Sequence, residues 1–127
     1  MTAKAQHITG WILTGLVGLF LIGASGVPKF LDWEGRDAML THMGISPSLM
    51  PVIGVIEIAV TLLYLIPRTA FLGAILITGY LGGAVMTHLR IGDPWWFPLV
   101  IGAVAWLGLG LRQPAVIRLA LGRMEAA

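Results

Sequence analysis

Four apolar runs dominate the sequence, and each approaches the length needed to cross a bilayer. A hydrocarbon core about 30 Å thick takes about 20 residues of helix at about 1.5 Å each. Ile8–Val27 contains no ionisable residue, and Thr69–Thr87 contains no acid, lysine or arginine except at its flanks. Ser48–Ile66 is broken only by Glu57, and Trp95–Leu111 is bounded by Trp95, Trp96 and then Arg112. In lipid every backbone polar group must be satisfied within the protein, which each run achieves alone as a helix. Continuously apolar runs do not alternate as half-buried strands would. The chain is therefore predicted to be all-α: one domain, residues 1–127, forming an integral membrane four-helix bundle.

Composition supports this and removes several function classes. Hydrophobic residues make up 57% of the 127 and charged residues 11%, against roughly 25% charged in a soluble domain. There is no cysteine, which excludes thiolate nucleophiles, Cys-ligated clusters and Cys-zinc sites. The net charge of +2 comes from scattered Lys and Arg, so no nucleic acid is expected as a partner. The lipid bilayer is the expected partner.

The connections carry further information. Pro67-Arg68 joins the second and third runs in almost no length, predicting a tight antiparallel hairpin, since Pro67 cannot continue a helix. His88 to Pro94 ends the third run with cations, Gly92 and Asp93-Pro94, which together form a helix stop. Pro28–Pro47 is the long loop; within it Glu34–Met43 is expected to form a short amphipathic helix ended by Gly44, with Ala38, Met39 and Met43 toward the membrane. The tail Pro114–Met124 is expected on the lipid surface. With four spans both termini share one side, with Lys4, Arg68, Arg112, Arg118 and Arg123; Lys29, Arg36 and Arg90 lie on the other. That bias places both termini in the cytoplasm, in a bacterial-type inner membrane. The first run is longer than a signal-peptide core, so we read it as a retained span.

Glu57 is the most informative residue. It lies about 12 Å inside its helix by the helical rise, where a charged carboxylate costs on the order of 3 kcal/mol. It must face the bundle interior, be protonated or pair with a cation. Gly54, Thr61 and Tyr64 share its face by helical spacing. On the antiparallel third run Tyr80, Gly83, Ala84, Thr87 and His88 form a matching face. Thr14, Gly18 and Ser25 add polar or small positions from the first. These predict a cavity in one half of the bundle, with Met86, Trp95, Trp96 and Trp106 as walls. Glu57 and His88 would be its proton-exchanging groups, and the ligand a quinone head group or a lipid. The alternative is structural: Glu57 as a protonated carboxyl bonded to Tyr80 or Thr87, fixing register. His88, Arg90 and Asp93 fit a helix end and a turn better than they fit a site. Lys29 is expected to snorkel to lipid phosphate, and Trp11 and Trp33 to anchor at the interface. Gly79 and Gly83 form a GxxxG pair, read first as intramolecular packing and second as a dimer seam. Glu57, His42 and His88 share no metal-ligand spacing, so no metal site is expected.

One stretch resembles a known family. Gly79-Tyr80-Leu81-Gly82-Gly83-Ala84-Val85-Met86-Thr87-His88-Leu89-Arg90-Ile91-Gly92-Asp93-Pro94 resembles the signature of DoxX-like membrane proteins. Gly26-Val27-Pro28-Lys29, Ile56-Glu57, Ile66-Pro67-Arg68-Thr69-Ala70, and Trp106 with Leu111-Arg112 agree with it. The resemblance implies a four-helix membrane protein and, from relatives in the wider group, a membrane subunit or anchor of a quinone-linked oxidoreductase. Its partners would be a redox subunit and, through the GxxxG pair, a second copy of this chain. Signature positions here are Glu57, Gly82, Gly83, Thr87, His88, Arg90 and Asp93, with no catalytic role attached. The competing functions are a non-catalytic assembly or interaction factor docking through Pro28–Pro47, and a small proton-coupled carrier.

Overall fold

The computed structural model describes residues 1–123. Its elements are α1 (Ala3–Gly18), α2 (Arg36–Met43), α3 (Met50–Leu65), α4 (Ala70–Ile91), α5 (Trp96–Arg112) and α6 (Pro114–Ala120). No strand occurs among the described residues. α1 runs on without a break through a π-helical segment, Leu19–Gly26, and a 3-10 turn, Val27–Phe30. The first membrane-length helix therefore spans Ala3–Phe30, longer at both ends than its apolar run. A 3-10 turn at Pro47–Leu49 leads into α3. The third span also outruns its apolar segment, ending at Ile91 rather than Thr87.

Around the bundle α1 packs on α5, α5 on α4 and α4 on α3, while the π segment closes the ring against α3. Val17, Leu21, Tyr64, Ile77, Leu81, Ala105 and Leu109 fill the centre. Leu16, Leu19, Val52, Val55, Leu72, Ile75, Leu99 and Leu107 point outward. Such an apolar girdle is the surface that a lipid solvent requires and that water penalises. The bundle has two ends. The terminal end carries the N-terminus, the Pro67 turn and Arg112; the loop end carries α2 and the Gly92 turn.

The helix ends follow from their residues. Thr2 caps α1 by accepting a hydrogen bond from the Ala5 amide at 3.1 Å. Gly44 and Gly92 take φ of 69° and 72°, the left-handed conformation only glycine adopts without strain. Each is followed by an amide that reaches back: Ile45 to Leu40 O and Asp93 to His88 O, both at 3.0 Å. Ile66 is extended before Pro67, as a residue preceding proline prefers. The resulting α3–α4 hairpin is tight because Gly73 lies against the backbone of Tyr64, where a Cβ would overlap Tyr64 N.

α2 corrects one expectation. It forms and ends at Gly44, but Leu40 is its buried residue and Met43 turns toward the bundle interior instead of the membrane. α6 folds back from α5 at 117°, with Val116 buried and Ile117 packed on Gly110, so the tail lies across the terminal end. Met124, the last residue of the expected surface tail, falls outside the described residues.

Candidate functional site: an intramembrane ion pair facing a cavity

Glu57 is completely buried. Gly54, Thr61 and Tyr64 are buried on the same face of α3, as their spacing requires. Facing Glu57 is Lys29: its Nζ stands 2.7 Å from Oε2, and its side chain is 14% exposed. Lys29 does not snorkel to lipid phosphate. Its ammonium donates to Ser25 O and Ser25 Oγ, both at 2.9 Å. The geometry comes from the first helix. π-helical winding and the 3-10 turn after it set Ser25 and Lys29, four residues apart, above α3. Gly26 permits this close approach, since a Cβ there would lie 2.8 Å from Ile58 Cγ1.

The pair is short but incompletely bonded. Neither oxygen of Glu57 accepts a well-directed hydrogen bond from any described residue. The close Lys29 contact supplies charge, while its aligned donors go to Ser25. A buried carboxylate with open acceptor positions carries a desolvation penalty that a ligand donor would relieve.

The open side of Glu57 faces a cavity of about 540 Å³, within the range of small-molecule sites. Lys29, Ser25, Tyr80, Thr87 and His88 supply its other polar groups. The phenol of Tyr80 stands beside the Glu57 carboxylate. Thr87 Oγ1 donates to Gly83 O at 2.9 Å, so it is largely committed to its own helix. His88 Nδ1 donates to Ala84 O at 2.7 Å, which leaves Nε2 as the uncommitted ring nitrogen. The apolar walls are Phe20 and Phe97, in edge-to-face contact at 5.3 Å, with Leu21, Leu81, Pro98 and Ile101.

Of the residues singled out from sequence, Glu57, Tyr80, Gly83, Thr87 and His88 meet on this cavity. Arg90 and Asp93 do not. Arg90 Nη2 donates to Met43 O at 3.0 Å, and Asp93 Oδ1 pairs with His42 Nε2 at 3.0 Å. Together they clasp α2 onto the end of α4. Met86, Trp95 and Trp96 face outward, and Trp106 bonds Thr78 at 2.8 Å, so none of the four is a wall. Gly79 and Gly83 were expected to serve helix packing. Instead a Cβ on either would meet nothing within 4 Å, and both border the cavity.

A second buried polar cluster lies at the terminal end. Arg112 is 7% exposed; its Nε donates to Thr14 Oγ1 at 2.9 Å and its Nη2 to Tyr64 O at 3.1 Å. The guanidinium stacks on Trp11, 4.3 Å from the ring centroid, so Trp11 packs inward instead of simply anchoring at the interface. Tyr64 Oη donates to Ala105 O at 2.7 Å. Gly10 and Gly108 allow α1 and α5 to approach closely beside it.

One family model matches most of the chain. The DoxX-like family model covers residues 12–108. The chain belongs to the DoxX-like family. No match was found among curated proteins or among solved structures. In this DoxX-like protein the matched region holds Lys29, Glu57, Tyr80 and His88 and thus the whole cavity, but excludes Arg112 and α6.

Proposed function

We propose that this DoxX-like membrane protein binds a small amphipathic molecule, of the quinone head-group class, and serves as a membrane subunit or anchor of a quinone-linked oxidoreductase. The observation that carries the reading is Glu57: a fully buried carboxylate with unfilled acceptor positions, opening on a cavity of about 540 Å³. Donors on the protein suit the carbonyls of a quinone, and the open acceptor positions of Glu57 suit the hydroxyl of its reduced, quinol form. Lys29 and Tyr80 are donors, His88 offers an uncommitted nitrogen, and Phe20 and Phe97 provide flat apolar walls. A bound quinone supplies two-electron, two-proton redox chemistry, and electrons would come from a partner subunit. In this chain Lys29 would orient a carbonyl oxygen, Tyr80 would bond to it, and Glu57 would exchange a proton at its free oxygen. The walls exclude water from that exchange.

Orientation follows the same reading. Lys29 and Arg112 are withdrawn into the bundle, leaving Lys4, Arg68, Arg118 and Arg123 against Arg36 and Arg90 at the surface. The excess of two cations on the terminal side is unchanged by their withdrawal and supports cytoplasmic termini in an inner membrane.

Lipid extraction of protein purified from native membranes tests the function. Co-purifying quinone is expected, with a several-fold lower yield from Glu57→Gln. A preparation free of quinone, or one whose quinone content ignores that substitution, overturns the reading.

A further inference from the structure

The cavity is closed toward the loop end. Met43, Ile45 and Met50, from the α2–α3 connection, line it there. The connection is held down by the Arg90–Met43 hydrogen bond and the His42–Asp93 pair. Toward the terminal end the packed core of Ile77, Tyr64 and Leu109 closes it. Its side wall differs. Gly79 and Gly83 line the cavity yet are exposed, and Ile56 on the facing helix lines it while 48% exposed.

Helical geometry explains how one residue can do both. Gly79 and Gly83 lie about 160° and 120° around α4 from the buried Ile77, on one side, at about 3.6 residues per turn. They belong to the outer margin of α4 where it borders α3. The helices touch tightly at Gly73 and Tyr64 near their hairpin, and no side chain on Gly79 or Gly83 fills the gap farther along.

We propose that this gap is a lateral portal. The cavity opens between α3 and α4 into the hydrocarbon, and its ligand is a single-tailed amphiphile that enters from the bilayer. Its polar head rests at Lys29 and Glu57 and its tail leaves past Ile56, Gly79 and Gly83. The open acceptor positions of Glu57 call for a head that donates a hydrogen bond, and the bare glycine margin gives a narrow chain its path. The inference rests on the ligand-binding reading above, but not on the ligand being a quinone.

The full chain in lipid nanodiscs is labelled with two probes whose heads donate: a benzoquinol, kept reduced, bearing a decyl tail with a terminal diazirine, and hexadecanol with a diazirine in its tail. Photolabelling of wild type is expected at Ile56 and along residues 79–86. Gly83→Leu and Gly79→Leu each reduce it at least fivefold, since both side chains have room to fold yet fill the portal. Gly82→Leu is the control: it also has open space but does not border the cavity, and labelling is unchanged. If only hexadecanol labels this margin and Gly83→Leu blocks it, the portal stands and the quinone assignment falls. If labelling ignores both portal substitutions, or neither probe labels the margin, the portal is overturned.

Discussion

Lys29 and Glu57 are 28 positions apart in sequence, and their charged atoms meet at 2.7 Å inside the bundle. The pair joins the end of the first span to the middle of the second. Removing one member leaves the other buried without a counter-charge. Lys29→Met is therefore expected to cost about 3–5 kcal/mol, seen as a lower unfolding midpoint in detergent. The double variant Lys29→Met with Glu57→Leu should recover most of that loss, because apolar replacement of both charges removes the desolvation cost. Equal destabilisation of the single and double variants would contradict this.

Gly73 and Gly82 should respond oppositely to the same change. A Cβ on Gly73 would overlap the backbone of Tyr64, and backbone cannot swing aside as a side chain can. Gly73→Ala is expected to cost at least about 1–3 kcal/mol, in the range of overpacking, by prising the α3–α4 hairpin apart. At Gly82 the Cβ meets nothing, and alanine is the better helix former by roughly 0.5–1 kcal/mol. Gly82→Ala should be neutral or stabilising. Thermal unfolding of both variants checks the contrast.

Arg112 holds three helices through a planar group. Its bonds to Thr14 and Tyr64 and its stacking on Trp11 need the guanidinium fork. Arg112→Lys keeps the charge but is expected to destabilise nearly as much as Arg112→Met, with about 2 kcal/mol from the lost stacking alone. A lysine variant with the wild-type unfolding midpoint would show that charge, not shape, matters there.

The clasp on α2 is exposed and should be weak. The His42 and Asp93 side chains are 54% and 36% exposed, and such pairs contribute about 0–1 kcal/mol. Asp93→Ala should leave global unfolding almost unchanged. Hydrogen exchange of the Arg36–Met43 amides should accelerate, because local opening is where a weak clasp acts. Unchanged exchange would show that Leu40 packing alone seats the helix.

The absence of native cysteine makes topology directly testable. Ala3→Cys and Glu34→Cys place single thiols at opposite ends on exposed positions. In intact cells a membrane-impermeant maleimide should label Glu34→Cys and not Ala3→Cys. The reverse pattern would invert the orientation.

Three membrane-length helices were legible because lipid imposes a length and forbids unsatisfied backbone; the fourth run forms α5, which reaches that length only together with the bent α6. The glycine stop at Gly44 and the Glu57 face were legible for similarly local reasons. Lys29 was not. Next to a span end, a lysine looks like a residue reaching for water, and only π winding turns it back toward the interior. One clue existed: a lone intramembrane acid needs a cation, and Lys29 stood nearest its depth. Arg112 was misread for the same reason, as a flanking charge, since nothing local reveals that Thr14 and Trp11 come to meet it. The glycines of α4 misled through their pattern. GxxxG reports that a helix surface is bare, not whether protein or open space lies against it.

The π segment Leu19–Gly26 carries slack that the rest of the first span lacks. Its i→i+5 turns hold more residues than α turns, so loss of one residue there is absorbed by a return to ordinary winding, with the ammonium still aimed inward. Loss of one residue from the α-helical stretch Ala3–Gly18 has no such outlet and turns the two ends of the span against each other by about 100°. A single-codon deletion is thus silent or estranging according to the side of Gly18 on which it falls.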